Sequence, residues 1–126
     1  MSDEGQATLE AALAMPIVLL ALLLIVQVGI VVRDALALDQ AAREGVRTMA
    51  VTASPDDARD RVRSAAGPLD AGRITITTSS SGKRGDDASV DLSYIEELRI
   101  PIVSRFLELH LPLRAGATMR LERDAP

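Results

Sequence analysis

One carboxylate stands where lipid makes it costly. Glu10 leads directly into an unbroken apolar run, Ala11 to Val32, and a glycine, Gly5, lies five residues before it. A carboxylate at the edge of such a run is costly in lipid and needs a reason, unless it sits idle in the headgroup layer, where it costs little. Gly5 alone carries no chemistry. Its spacing from Glu10 is what makes the pair informative.

Elsewhere the residue types argue against catalysis. His110 is the only histidine and there is no cysteine, so neither a common zinc set nor thiolate chemistry can be built. The serines cluster in a polar stretch without a nucleophile-elbow motif, and no glycine-rich phosphate loop is present. Asp86-Asp87 and Glu96-Glu97 read as solvated charges. The expectation is no enzyme, no cofactor and no metal. A net charge of −4 and the lack of a basic tract argue against nucleic acid as a partner.

The elements that position Glu10 follow from the apolar pattern. Ala11–Val32 contains one polar side chain, Gln27, and no charge. As a helix it spans about 33 Å, the hydrocarbon thickness of a bilayer. It is too long for a secretory h-region, and neither a basic n-region nor a small-residue cleavage site flanks it. The reading is a retained membrane helix, with the lipid bilayer as a partner. Pro16 removes one helix hydrogen bond and either bends the helix or is tolerated there. Gln27 and Gly29 are polar and small, the types that join membrane helices, and are also common as singletons.

Helical spacing continues beyond the run. Leu38, Ala41, Ala42, Val46 and Met49 recur at intervals of three and four, while Asp39, Arg43 and Arg47 take the other face. One helix from about Thr8 to Val51 is expected, and its outer half must lie on something. Ala41, Ala42 and Gly45 form a small-residue face for the protein's own sheet or for another chain, with Arg43, Glu44 and Arg47 beside it for ion pairs. Ser54-Pro55-Asp56-Asp57 is a helix start, and a short charged helix to about Ala66 ends at Gly67-Pro68. Arg59, Arg61 and Arg63 read as its solvated face.

From Arg73 the period changes to two. Ile74–Thr77 and Val90–Ser93 alternate apolar and polar, flanking a polar loop at Ser79–Asp87 that reads as a long, mobile hairpin tip. A third strand is expected near Leu113–Leu121. Ile100-Pro101 interrupts pairing, and Ile102–Leu109 is ambiguous between a helical turn and an irregular strand. With one tyrosine and one phenylalanine, the core must be aliphatic and modest.

Gly5, four residues, Glu10 and then a long apolar helix resembles the type IV pilin-like processing signal. The further run Ala7-Thr-Leu-Glu-Ala-Ala-Leu-Ala-Met-Pro16, the leucine-rich span, and Ala41-Ala-Arg-Glu-Gly-Val-Arg47 resemble the TadE-like family of Tad pilus minor pilins. The resemblance covers about residues 5 to 51. It implies a prepilin peptidase cutting between Gly5 and Gln6, with Glu10 then fifth in the mature chain. It implies that Glu10 neutralises the new α-amine of its own or an adjacent subunit. Pro16 would loosen the helix for assembly. Other pilin or pseudopilin subunits, the prepilin peptidase and the inner-membrane assembly platform are the implied partners. The leader, Met1 to Gly5, is short and acidic where such proteins carry a basic one, and Gln6 stands where an aromatic is usual.

The expected fold class is α+β. A leader at 1–5 and a transmembrane helix at 6–33 precede an exported domain at 34–126, helical over 34–66 and β-rich over 73–122, with about three antiparallel strands. The resemblance places that domain outside the cytoplasm, either at the cell membrane or incorporated into an extracellular pilus. The positive-inside rule, with Arg33, Arg43 and Arg47 as the positive flank, places it inside. The functional expectation is a structural minor pilin or pseudopilin; the alternatives are a single-pass anchor or sensor and a secreted protein.

Overall fold

The computed structural model describes residues 2–98, 105 and 108–126. Helix α1 (Asp3–Thr52) is unbroken over 50 residues, about 75 Å at the usual rise. It begins five residues earlier than the apolar pattern suggests. Asp3 and Glu4 face the positive end of the helix dipole and favour that extension, although the N-cap Ser2 makes no side-chain cap bond. The helix ends on Ala53, which takes the left-handed conformation (φ 55°) and returns its N–H to Met49 O at 2.8 Å. Glycine usually fills this position; alanine accepts a strain of about 1 kcal/mol there.

Ser54 then caps α2 (Pro55–Ala65) by accepting the Asp57 N–H at 3.3 Å, with Pro55 at the first helical position. The two-residue connection folds α2 back along α1. The close approach falls at Gly45, where an added Cβ would overlap the Val62 side chain. Arg61 reaches across to Glu44 at 2.9 Å.

A single 3-10 turn (Ala71–Arg73) leads into an antiparallel meander: β1 (Thr75–Ser80), β2 (Asp87–Leu98) and β3 (Leu109–Arg120), with β2 in the centre. The α+β class and the three-stranded antiparallel sheet agree with the sequence. The third strand starts four residues earlier than expected and passes through Pro112. Proline is tolerated because β3 is an edge strand, where a missing N–H need not break the ladder. The ambiguous stretch at 102–109 falls largely outside the described residues; its last residue, Leu109, opens β3. Ile100-Pro101 also lies outside them.

The core sits between one face of the sheet and the outer half of α1. On β2 the buried positions alternate, Ala88, Val90, Leu92 and Tyr94, as a half-buried strand requires. They meet Leu38, Ala41, Ala42, Val46 and Met49 of α1, and Ala58 and Val62 of α2 complete the layer. Many of these side chains are alanines, so the elements pack backbone-close and little aromatic volume is needed.

The hairpin between β1 and β2 corrects one expectation. Its turn is only Ser81–Asp86, and it is not free-standing. Gly85 N–H donates to Leu121 O at 2.9 Å, Arg84 N–H to Asp124 Oδ1 at 2.7 Å, and Ala125 N–H to Gly82 O at 2.7 Å. The residues after β3 therefore fold over the tip and fasten it. Two of these bonds join backbone to backbone and the third uses the Asp124 carboxylate, and polar composition does not disclose the pairing.

Candidate membrane and assembly site

The first half of α1 stands alone. Every residue from Ser2 to Val26 is exposed, including Leu9, Leu13, Ile17, Leu22 and Ile25. A soluble protein cannot leave so long an apolar rod in water, since each such side chain is worth roughly 1.5–3 kcal/mol of burial. Among the described residues this is the one helix long and apolar enough to cross a membrane.

At its tip, the peptide between Gly5 and Gln6 lies in the first helical turn. Both N–H groups reach Ser2 O, at 2.9 and 3.2 Å. An added Cβ on Gly5 would touch only Ser2 Oγ, at an ordinary 3.6 Å. Nothing in the fold requires glycine at this position, where it costs about 1 kcal/mol against alanine. Gln6 Nε2 donates to Glu10 Oε1 at 3.5 Å, one turn along the exposed helix. Pro16 sits inside the continuous helix and leaves the Ala12 carbonyl without its usual donor. Gly29 is exposed, with open space where a Cβ would stand.

The sheet first covers the helix at Gln27. Gln27, Ile30 and Val31 are half-buried, and Asp34, Leu38, Ala41 and Ala42 continue the same stripe as fully buried positions. Here lies a charged junction that sequence reasoning missed. Asp34 is only 4% exposed and pairs with the adjacent Arg33 at 2.8 Å. Facing it from β2 is Glu96, within side-chain hydrogen-bonding reach. Burial first, and then the Asp34 carboxylate, raise the Glu96 carboxyl above its ordinary value, against the opposing pull of Arg73 and Arg33. Arg73 pairs with Glu97 at 3.1 Å, donates to Ile95 O at 3.2 Å and covers the Tyr94 ring at 5.5 Å. Gln27, Ile30, Arg73, Glu96 and Glu97 line a shallow cavity of about 280 Å³. Two signals in the sequence point here. Asp34 continues the buried spacing of α1 below Leu38, and Glu96 continues the inward alternation of Val90, Leu92 and Tyr94.

The remaining expected residues divide by burial. Ala41, Ala42 and Gly45 lie inside the protein's own core, against its sheet and α2. Arg43 stays outside and pairs with Asp39 at 2.9 Å, Glu44 holds Arg61, and Arg47 is exposed. Arg59 pairs with Asp56 and Arg63 with Asp60 on the outer face of α2.

A family model described as TadE-like protein matches residues 5–47, the family that the sequence resembles. The matched segment lies wholly within α1, from the Gly5 turn across the bare rod to the buried stripe. No curated protein and no solved structure matches the chain.

Proposed function

We propose that this chain is a structural minor pilin or pseudopilin, anchored by α1 and taking part in assembly or initiation of a Tad-type pilus. The observation that carries the proposal is the TadE-like match over a helix whose first half is bare, apolar and headed by Gly5 and Glu10. A prepilin peptidase cuts between Gly5 and Gln6. The released α-amine sits at the end of an apolar helix, and the Glu10 carboxylate of the same or a neighbouring subunit neutralises it. In a low-dielectric setting that pairing is worth far more than in water, so subunits gain by packing their helices side by side. Pro16 lets the rod bend as it enters such a bundle. Arg43 and Arg47, which the domain leaves outside, are available to neighbouring subunits. The other partners are the peptidase and the inner-membrane assembly platform, and the folded domain lies outside the cytoplasm.

Three measurements test this reading. Mass spectrometry of the mature chain from cells with the peptidase is expected to show Gln6 as the first residue; an intact Met1 or Ser2 overturns the processing step and favours a plain anchor. Glu10→Leu is expected to insert normally and lose pilus output. Normal output from that variant overturns the assembly role. Protease added to intact cells with a permeable outer layer is expected to digest the domain, and full protection overturns its placement outside the cytoplasm.

A further inference from the structure

The outward face of α1 stays apolar beyond the point where the sheet begins to cover the helix. Gln27, Ile30, Val31, Asp34 and Leu38 turn toward the domain and are half-buried or buried. On the other side Val32 is 52% exposed and Leu36 is 60% exposed. Leu36 stands past Arg33 and Asp34, the first charges after Glu10. The run from Ala11 to Val32 already spans the hydrocarbon, at about 33 Å, and Leu36 lies about 6 Å further along the axis. Lipid tails therefore do not cover Leu36, and neither does the chain's own sheet.

Leu36 closes a regular seam. Val18, Ile25 and Val32 recur every seventh residue, and Leu22, Gly29 and Leu36 follow each of them by four. This is the spacing of a left-handed coiled coil, with Leu22, Gly29 and Leu36 at a and the β-branched residues at d. All six are exposed. The f position lies opposite such a seam, and there stand Gln27, Asp34 and Ala41, which the sheet covers. The domain takes the back of the helix and leaves the seam free. Arg33 falls at e, the flank where coiled coils carry charge. The next d and a positions are Asp39 and Arg43, which pair with each other, so the apolar seam ends at Leu36. Gly29 agrees with this arrangement. A Cβ there would meet nothing in the fold, yet glycine costs about 1 kcal/mol in a helix. In a seam it lets a second helix approach closely.

Copies inserted in one membrane share direction and height, so the seam of one chain meets the same residues of the next. We infer that α1 packs in parallel on α1 of a second copy along residues 18–36, and that the contact continues above the bilayer to Leu36, with each sheet held on the outside. Leucine at a with β-branched residues at d favours bundles of more than two helices, so the contact can repeat. The inference rests on the proposed side-by-side packing of subunits and names the face that makes it.

The natural absence of cysteine allows a direct test. Ile25→Cys, Val32→Cys and Leu36→Cys lie on the seam, and Leu20→Cys and Leu24→Cys lie off it. Each is made singly in the full chain and oxidised mildly in cell membranes. Disulfide-linked dimers on a non-reducing gel are expected to be several-fold more abundant for the three seam variants. Leu36→Glu, at an exposed position outside the lipid, is expected to weaken the bond at Val32→Cys several-fold and to leave insertion unchanged. Equal bonding at all five positions, or none on the seam, overturns the face. Bonding at Ile25→Cys and Val32→Cys without Leu36→Cys overturns the continuation above the bilayer, as does a bond at Val32→Cys that ignores Leu36→Glu. The intact mass of the same variants reports leader removal separately. A processed chain that bonds at random keeps the pilin reading and loses the seam; an uncut chain that bonds along the seam keeps the seam and loses the processing step.

Discussion

Asp34 and Glu96 turn their carboxyl groups toward each other across the α1–β2 interface, at the level where the helix passes from the bare rod into the domain. The contact sits between two guanidinium groups, Arg33 on the helix side and Arg73 on the sheet side. A proton on Glu96 removes the like-charge repulsion and supplies a donor to the facing oxygen. The pair therefore makes the junction between anchor and domain sensitive to pH.

That sensitivity has a definite sign. The Glu96 carboxyl is raised, so the native state holds its proton more tightly than the unfolded chain. Stability from this group is full below the ordinary value of 4.5 and is lost as pH rises through the elevated value. Glu96→Gln keeps the shape, cannot ionise, and leaves the Arg33–Asp34 and Arg73–Glu97 pairs in place. At neutral pH the variant is expected to be more stable than the parent, and the difference is expected to vanish in mild acid. Thermal unfolding followed through Tyr94, the only tyrosine, measures this in the full chain. A difference that does not change with pH refutes it.

Gly45 sets the distance between the two helices. A Cβ there would overlap Val62 and stand in ordinary contact with Val90. Gly45→Ala gains about 1 kcal/mol in helix propensity, yet overpacking costs about 1–3 kcal/mol. The expected outcome is a net lower melting temperature, with much of the loss restored when Val62→Ala opens the space. If Gly45→Ala raises the melting temperature, the close approach is not a constraint.

These two sites show where the sequence was readable and where it was not. The spacing of Leu38, Ala41, Ala42, Val46 and Met49 marked the buried stripe, and the alternation of Val90 and Leu92 marked the central strand, because apolar side chains report directly which face is covered. Ser54-Pro55 announced α2 through cap chemistry that is local. Asp34 and Glu96 obey the same periods, but their charge suggested solvent, and only the tertiary pairing shows why a carboxylate tolerates burial. The fastening of the Ser81–Asp86 turn was invisible because, apart from the Asp124 carboxylate, it uses backbone groups, and every residue has those. Gly5 and Glu10 stood out for the opposite reason: they break local rules, a costly charge and a glycine in a helix, with no compensation inside the fold.

The fastened turn gives a third expectation. Removing Glu122–Pro126 deletes the bonds from Glu122 N–H to Ala50 O, from Arg84 N–H to Asp124, and from Ala125 N–H to Gly82 O, while leaving Leu121 in the core. Each bond is worth about 0.5–1.5 kcal/mol, so amide exchange at Arg84 and its neighbours is expected to speed up by roughly one to two orders of magnitude. Exchange at Val90 and Leu92 is expected to be unchanged. Equal acceleration at both places means that the tail supports the whole sheet and not the turn.

The last expectation concerns Gly5. The fold leaves room for a side chain, and the first turn lacks a side-chain cap, so unwinding it to present an extended Gly5–Gln6 bond costs little. Gly5→Leu replaces the poorest ordinary helix former with one of the best, at an exposed position. Helix content and membrane insertion are therefore expected to be unchanged, and the first turn is expected to be slightly firmer. If glycine is present for the peptidase, the variant retains its leader, and its intact mass exceeds that of the processed chain by the whole uncut leader. Such a chain has no α-amine beside Glu10 to neutralise, so it is also expected to fail in assembly while remaining in the membrane. Normal removal of the leader from Gly5→Leu would show that Gly5 does not specify the cut, and the pairing of Gly5 with Glu10 would lose its basis.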